Sequence, residues 1–329
     1  MRESAEEGRR IAVIGARSFL GRNLLALLSG DAKIDALLAI DDEPGAAGEA
    51  GVRSIELDLT TPGAEVKLAQ VLADERVDTV VHVAFLDVPS HTAAFAHELE
   101  SVGTMRLVRA LRRSHVKKLI LGSHTWLYGA NSENPNFLRE DAPLGASRSE
   151  PWFADKIEAE SEVQRFAEAQ PEVTVTVLRN APILGPTIDN LVARYLGRAL
   201  VPSLLGYDPL IQLVHEVDAV GALKWAVFRN VPGAYNIVGD GVLPLSTVIK
   251  LAGRTRAPLP GPFARRASAA LWLAQLGDAP AGFLRYLRYL CVADGHKARG
   301  AGHRPTFSTR EAILDFVGAQ RLRDVNLLP

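Results

Sequence analysis

Hydrophobic positions fall in short, unbroken runs through the first half of the chain. Val, Ile and Leu dominate Arg10–Gly15, Ala36–Asp41, Arg53–Asp58, Asp78–Ala84, Lys117–Ser123 and Val173–Arg179, with little polar alternation. Strands covered on both faces read this way, so the runs predict a parallel sheet between layers of helix. Helical spacing appears between them, as at Phe19–Gly30 and Glu100–His115. Strand–helix repetition of this kind predicts a doubly wound α/β sheet.

From Pro182 the rhythm changes. Proline and glycine become dense, as in GRTRAPLPGP (Gly253–Pro262), and one return to the sheet is expected at Gly233–Gly241. The expected organisation is a first domain over residues 1–181, completed by about 210–240, and a smaller irregular lobe formed mainly by 182–329. There is no internal repeat and no long low-complexity segment.

Composition narrows the class. Of 329 residues, 47% are apolar and 23% charged, which suits a soluble globular chain. A net charge of −1 supplies no bulk field for nucleic acid or an anionic membrane. A single cysteine, Cys291, rules out an internal disulfide framework and fits a reducing, cytoplasmic setting. The opening MRESAEEGRR is charged, lacks the apolar core of a secretory signal and reads as a short frayed tail. No apolar run approaches the ~20 residues of a membrane span.

The chemistry begins at IAVIGARSFLGRNLLALL. A strand ends at Gly15, a tight turn follows through Arg17 and Ser18, and a helix opens near Phe19 and Leu20. A glycine permits the turn, the helix N-terminus offers unpaired N–H groups to a diphosphate, and Gly21 allows close packing on the sheet. Asp41, at the end of the second strand, is placed to accept from ribose hydroxyls. This is the pattern of a Rossmann-type NAD(P) site; the plain alternative is a βαβ turn without a ligand. Asp41 repels a 2′-phosphate and favours NAD, whereas Arg17 would attract one and keeps NADP open.

With these motifs in place, the chain resembles the extended short-chain dehydrogenase/reductases of the NAD-dependent epimerase/dehydratase type, over roughly Ile11 to Val238. GARSFLG resembles the family's G-x-x-G-x-x-G, and LDLT (Leu57–Thr60) resembles the segment whose aspartate, here Asp58 beside Leu59, faces the adenine. VDTVVHVAF resembles the strand whose end lines the cofactor at Ala84 and Phe85. In LVHEVDAVGAL the resemblance implies that His215 and Asp218 help order the fold, and GAYNIVGDG resembles the returning strand.

The departures are chemical. Ser18 replaces the middle glycine, where it either crowds a diphosphate or donates to it. The family asparagine falls at Ser101, the catalytic Ser/Thr at His124 and the catalytic tyrosine at Trp152. Lys156 alone remains of the triad, one helical turn from Trp152 on the same face. Glu160 also matches and reads as a helix-surface or structural residue. In the family the tyrosine moves the proton, the lysine lowers its pKa and holds the nicotinamide ribose, and the hydroxyl binds the substrate oxygen. Tryptophan has one N–H donor and no proton to release near neutral pH. Losing a positioned acid/base costs ~10²–10⁴ in rate, or roughly 3–5 kcal/mol of barrier.

His124, which titrates near neutrality, is the candidate substitute. Tyr128 is taken as structural. Trp152 either fills substrate space, stacks on a planar ligand, or packs as lid or core. Two functions therefore stand: an oxidoreductase or epimerase moving a hydride to or from a hydroxyl or carbonyl substrate, or a non-catalytic NAD(H)-binding regulatory or scaffolding protein. A dehydratase is disfavoured, because SHTWLYG lacks the acids used to expel water.

Other features read more plainly. His82 belongs to a buried strand. His91, His97, His115, His296 and His303 show no metal-ligand spacing. The basic Ala110–Lys118 stretch lies at a helix C-terminus, where positive charge complements the dipole. The amphipathic Phe263–Leu290 segment either touches a membrane surface or walls an apolar small-molecule pocket. The family resemblance also implies a homodimer through the helices after the fourth and fifth strands.

Overall fold

The computed structural model describes residues 8–43 and 51–325. The tail expected at the N-terminus lies mostly outside them. In chain order the elements are β1 (Arg9–Ile14), α1 (Phe19–Leu28), β2 (Ile34–Asp41), β3 (Val52–Glu56), α2 (Ala64–Asp74), β4 (Thr79–His82), α3 (Ala93–His97), α4 (Gly103–Leu111), β5 (Lys118–His124), α5 (Pro151–Ala169) and β6 (Thr174–Asn180). There follow β7 (Ile183–Leu184), α6 (Leu191–Gly197), β8 (Leu200–Leu204), β9 (Leu210–Ile211), β10 (Val214–His215), α7 (Glu216–Phe228) and β11 (Gly233–Ile237). The chain closes with β12 (Leu243–Pro244), α8 (Leu245–Leu251), β13 (Thr255–Leu259), α9 (Gly261–Leu273), α10 (His296–Gly300) and α11 (Thr309–Asp324).

Seven strands form one sheet in the order β11-β6-β5-β4-β1-β2-β3, and every neighbouring pair is parallel. The unbroken apolar runs explain this directly. Along β1, Ile11 and Val13 enter one core with Leu24 and Leu28 of α1 and Leu223 and Val227 of α7. Ala12 and Ile14 enter the other with Leu68 and Leu72 of α2, Leu107 and Leu111 of α4, and Val163 and Phe166 of α5. Both faces of each central strand are thus buried. Leu24 and Leu107 are fully buried, and truncating either to alanine is expected to cost ~2–5 kcal/mol. Strand order reverses between β1 and β4, and ligands of such sheets bind at that crevice.

Two local differences from the sequence expectation matter. The helix after β4 is interrupted by a π-helical turn at Glu98–Val102, closed by the Gly103 N–H on the Glu98 carbonyl. Glu100 and Ser101, both in that turn, are buried. The proline-rich Gly253–Pro262 run is more regular than expected. It holds β13, which pairs with β8 alone, so Pro258 sits on a strand with a free edge. Around that pair, Leu196, Val201, Leu213, Val248, Ile313 and Phe316 form a separate hydrophobic core.

Candidate functional site

The turn after β1 is shaped by two glycines. Gly15 has φ +85°, and a Cβ there would lie 2.5 Å from the Ala84 amide nitrogen. A Cβ on Gly21 would lie 2.1 Å from the Gly15 carbonyl oxygen. Ser18 caps α1: its Oγ accepts from the Gly21 N–H at 3.0 Å and donates to the Gly15 carbonyl at 2.7 Å. Its hydroxyl proton is therefore committed inside the turn, an arrangement distinct from either crowding a diphosphate or donating to it. The Gly21 and Arg22 amides are satisfied by Ser18. The Phe19 and Leu20 amides, first in α1, have no acceptor among the described residues. Two free N–H groups at a helix N-terminus, in a cradle that a Cβ would fill, fit a diphosphate.

Asp41 stands beside this turn. Its carboxylate accepts from the Arg17 amide at 2.7 Å and the Asp42 amide at 3.0 Å, and burial raises its pKa. The Arg17 guanidinium turns outward to Asp42 and Glu43, at 3.0 and 2.9 Å. The Leu57 amide donates to the Asp41 carbonyl at 2.7 Å, which brings the Asp58 segment alongside. Asp58 pins that segment by accepting from the Thr60 amide and hydroxyl at 2.7 and 2.8 Å. Leu59 is buried, and its carbonyl accepts from Arg106 at 2.7 Å. Across the crevice, Ala84 lies against Gly15, and the Phe85 ring centroid is 5.8 Å from Lys156 Nζ.

His124, Trp152 and Lys156 come together at the C-terminal end of β5. The His124 and Trp152 ring centroids are 5.5 Å apart, and Lys156 Nζ stands 4.2 Å from the Trp152 ring. Lys156 also donates to Glu100 Oε1 at 2.6 Å. Glu100 accepts from the Leu86 amide at 2.7 Å, while its Oε2 is buried without a partner. Burial pushes the Lys156 ammonium down and the Glu100 carboxyl up, and their attraction opposes both shifts. Sequence reasoning missed Glu100. Its signal was position: it lies one and two turns before Thr104 and Leu107 on the apolar face of that helix.

The electrostatics of the site weigh against a His124 that titrates near neutrality. Burial first, and the Lys156 charge second, push its imidazole down to about 3, so it stays neutral at physiological pH. A carboxyl from the loop after β4 is shifted the other way, toward neutrality. Asp87 is half-buried and shares a small pocket with His124 and Trp152. Burial pushes its carboxyl up to about 6, against the pull of Lys156. Nothing in the local sequence marks Asp87, because the shift comes first from burial and then from charges distant along the chain. The Trp152 Nε1–H is buried and has no acceptor.

That small pocket opens on a chamber of about 410 Å³, and Trp126, Pro182, Leu191 and Val192 line both. The 263–290 segment walls the chamber through α9 and a 3₁₀ turn at Ala281–Leu287, as the pocket reading of that segment expects. Its outer side exposes Phe263, Leu273 and Leu276. Among the described residues no helix is long and apolar enough to cross a membrane.

Several other singled-out residues are held in hydrogen-bond networks. Glu160 is fully buried, which corrects the helix-surface alternative: it receives Arg179 at 2.6 and 2.9 Å and the Ser123 hydroxyl at 2.5 Å. Tyr128 joins the same network through Arg179 and Asn236, both at 2.7 Å, and its phenol is pushed up to about 12 by burial. His82 is buried against Thr104 at 2.8 Å. His215 bonds Asp315 at 2.9 Å, and Asp218 holds the Thr306 and Phe307 amides at 2.8 and 2.9 Å. From the basic stretch, Lys118 turns inward and caps the C-terminus of α7 through three carbonyls. The fold also gathers His97, Asp155 and Glu158, whose ligating atoms lie within 4.8 Å of one another. A 2.7 Å hydrogen bond from His97 to Asp155 accounts for the first two.

Comparison with known proteins agrees with this architecture. An uncharacterised protein of Mycobacterium tuberculosis is 32% identical over 326 residues, covering 96% of this chain and 85% of that protein. A 3-diazoavenalumate denitrifying reductase from a Streptomyces species is 28% identical over 257 residues, 75% of this chain and 81% of that protein. Among solved structures, MoeE5 in complex with UDP-glucuronic acid and NAD superposes with a TM-score of 0.73 at 22% identity, covering 95% of this chain and 99% of that one. The UDP-glucose 4-epimerase of Thermus thermophilus in complex with NAD gives 0.71 at 19%, with the same coverages. Residues 11–238 match the NAD dependent epimerase/dehydratase family, and the chain belongs to that family.

Proposed function

We propose that this chain binds NAD in the crevice above β1 and β4 and acts there as an oxidoreductase or epimerase on a hydroxyl or carbonyl of a small molecule. The observation that carries the reading is continuity. Ala84 touches the Gly15 turn, and the adjoining Phe85 ring reaches Lys156, which stands against Trp152. The cradle and the substituted triad thus share one site.

The bound nicotinamide supplies a hydride acceptor or donor. The chain's own residues do the rest. The Phe19 and Leu20 amides hold the diphosphate, and Asp41 accepts from the ribose hydroxyls. Arg17 is engaged by two carboxylates beside a third, which disfavours a 2′-phosphate and supports NAD over NADP. Lys156 keeps N–H donors beyond the one given to Glu100, and in this reading they hold the nicotinamide ribose. Trp152 Nε1–H donates to the substrate oxygen, and neutral His124 orients it. Asp87 takes the proton: with its carboxyl near 6, it accepts from a hydroxyl in the oxidising direction and returns the proton in the reducing one.

A second reading is favoured by one observation. Lys156 is tied to a buried acid, which suits a non-catalytic NAD(H)-binding regulatory or scaffolding protein. Calorimetry with NAD⁺ and NADH, followed by nicotinamide absorbance during turnover of an alcohol panel, tests both. Binding with turnover supports the enzyme and binding without turnover supports the second reading. No binding at millimolar cofactor removes both.

A further inference from the structure

We infer that the substrate of this site is an uncharged, largely apolar alcohol, aldehyde or ketone with an aliphatic or aromatic body, and not a sugar nucleotide. The inference rests on the hydride-transfer reading and adds the substrate class. It follows from what the chamber offers a ligand. Its wall is built from side chains such as Leu191, Leu204, Leu245, Leu259, Leu271 and Phe283. At about 410 Å³ it has the volume of a small-molecule site.

Several polar groups in the wall are already engaged. Tyr195 donates to the Pro202 carbonyl at 2.6 Å, and Tyr286 donates to the Trp126 carbonyl at 2.6 Å. The Gln212 amide is matched at both ends by Ala293, at 3.0 and 2.9 Å. Arg198 is the one cation among the lining residues, and it is ion-paired with Asp278. A diphosphate is held by charge-assisted donors, and burying it without them is strongly unfavourable. This wall has no free cation for that role.

Wall residues that reach the surface include the ion-paired Arg198 and Asp278, with side chains 43% and 31% exposed, and two leucines. Leu271 and Leu276 line the chamber and are also 48% and 76% exposed. The same residues therefore run from the inner wall to the outer surface. At the other end, the shared wall at Trp126 and Leu191 leads to Asp87, His124 and Trp152. There Trp152 lines the small pocket beside the Asp87 carboxyl and the His124 imidazole. One oxygen at that end and an apolar body in the chamber is the ligand this shape and chemistry describe. The closing helix α9 is latched to the loop that carries Asp87, because Trp272 stacks on His91 at 3.9 Å.

The test titrates the intact protein, with and without saturating NAD⁺, against decanal, geraniol and UDP-glucose. Tryptophan fluorescence and calorimetry give the affinities. The apolar probes are expected to bind at least about tenfold tighter than UDP-glucose. Ala267→Trp, which fills the chamber from α9, is expected to weaken them about tenfold, and Leu271→Arg at the entrance provides a second variant on an exposed position. NAD⁺ affinity is expected to be unchanged in both. UDP-glucose binding tighter than decanal, or apolar binding that neither variant weakens, overturns the inference. NAD⁺ binding without apolar binding also overturns it and leaves the hydride reading standing. Apolar binding without NAD⁺ binding supports the ligand class and sinks the hydride reading.

Discussion

Lys156 Nζ lies 2.6 Å from Glu100 Oε1, and the two side chains are 2% and 1% exposed. Removing one partner of a buried pair leaves an uncompensated charge and costs ~3–5 kcal/mol, whereas replacing both by apolar groups is often close to neutral. Lys156→Met alone is expected to lower unfolding free energy by an amount of that order. Lys156→Met with Glu100→Leu is expected to recover most of it. Urea unfolding of the singles and the double measures the coupling, and additive costs would show that the pair is not energetically linked.

Asp87 gives the site a pH dependence of defined sign. Its folded-state pKa is raised from 3.8 to about 6 by burial. Between those values the folded chain holds a proton that the unfolded chain has released, so this group's contribution falls as pH rises through about 6. Asp87→Asn should remove that slope from stability measured against pH. Oxidation of an alcohol needs the carboxylate, so its rate should climb through about pH 6 and lose that step in the variant, with a fall of ~10²–10⁴.

His124 has the opposite sign. Its imidazole is depressed from 6.5 to about 3. The neutral form is favoured by folding above 6.5, and the contribution is lost as pH falls toward 3, where the unfolded chain binds the extra proton. His124→Phe should flatten acid destabilisation in that window. His82, also depressed to about 3 by burial, contributes the same slope and remains in the variant as an internal reference. A curve for His124→Phe that overlays the parent would refute the depressed value.

Trp152 carries a buried N–H without an acceptor. If that N–H binds the substrate oxygen, Trp152→Phe should lower kcat/KM about two- to tenfold, the worth of one neutral hydrogen bond. NAD⁺ affinity should not change. Steady-state kinetics on the best alcohol of the panel, beside NAD⁺ calorimetry, separate this from a packing defect, which would move both.

Gly15 is expected to tolerate no side chain. At φ +85° a Cβ meets the Val83–Ala84 backbone at 2.5–2.6 Å. Gly15→Ala adds left-handed strain of ~1–2 kcal/mol to that clash. It should both lower the melting temperature and abolish NAD⁺ binding in calorimetry. A variant that binds NAD⁺ normally would remove the turn from the proposed cofactor site.

The sheet was legible because burial on both faces leaves a mark in every strand: Val80 and Val81 are apolar in sequence and both fully buried in space. The turn from Gly15 to Gly21 was legible because its steric demands are local. So was the lysine one turn after Trp152. Glu160 was half legible: its match to the family marked it, but only Arg179 and Ser123 converging on it show that it is interior.

What the sequence by itself determined is therefore the parallel sheet, the glycine turn, the acid at Asp41 and the substitutions at His124 and Trp152. Each is written in residues close together along the chain or in a periodicity of burial. Only the tertiary structure decided that Lys156 faces Glu100, that burial shifts His124 down and Asp87 up, and that the chamber beyond them is apolar. Those outcomes depend on desolvation and on charges brought together from distant segments, and neither quantity exists until the chain has folded around them.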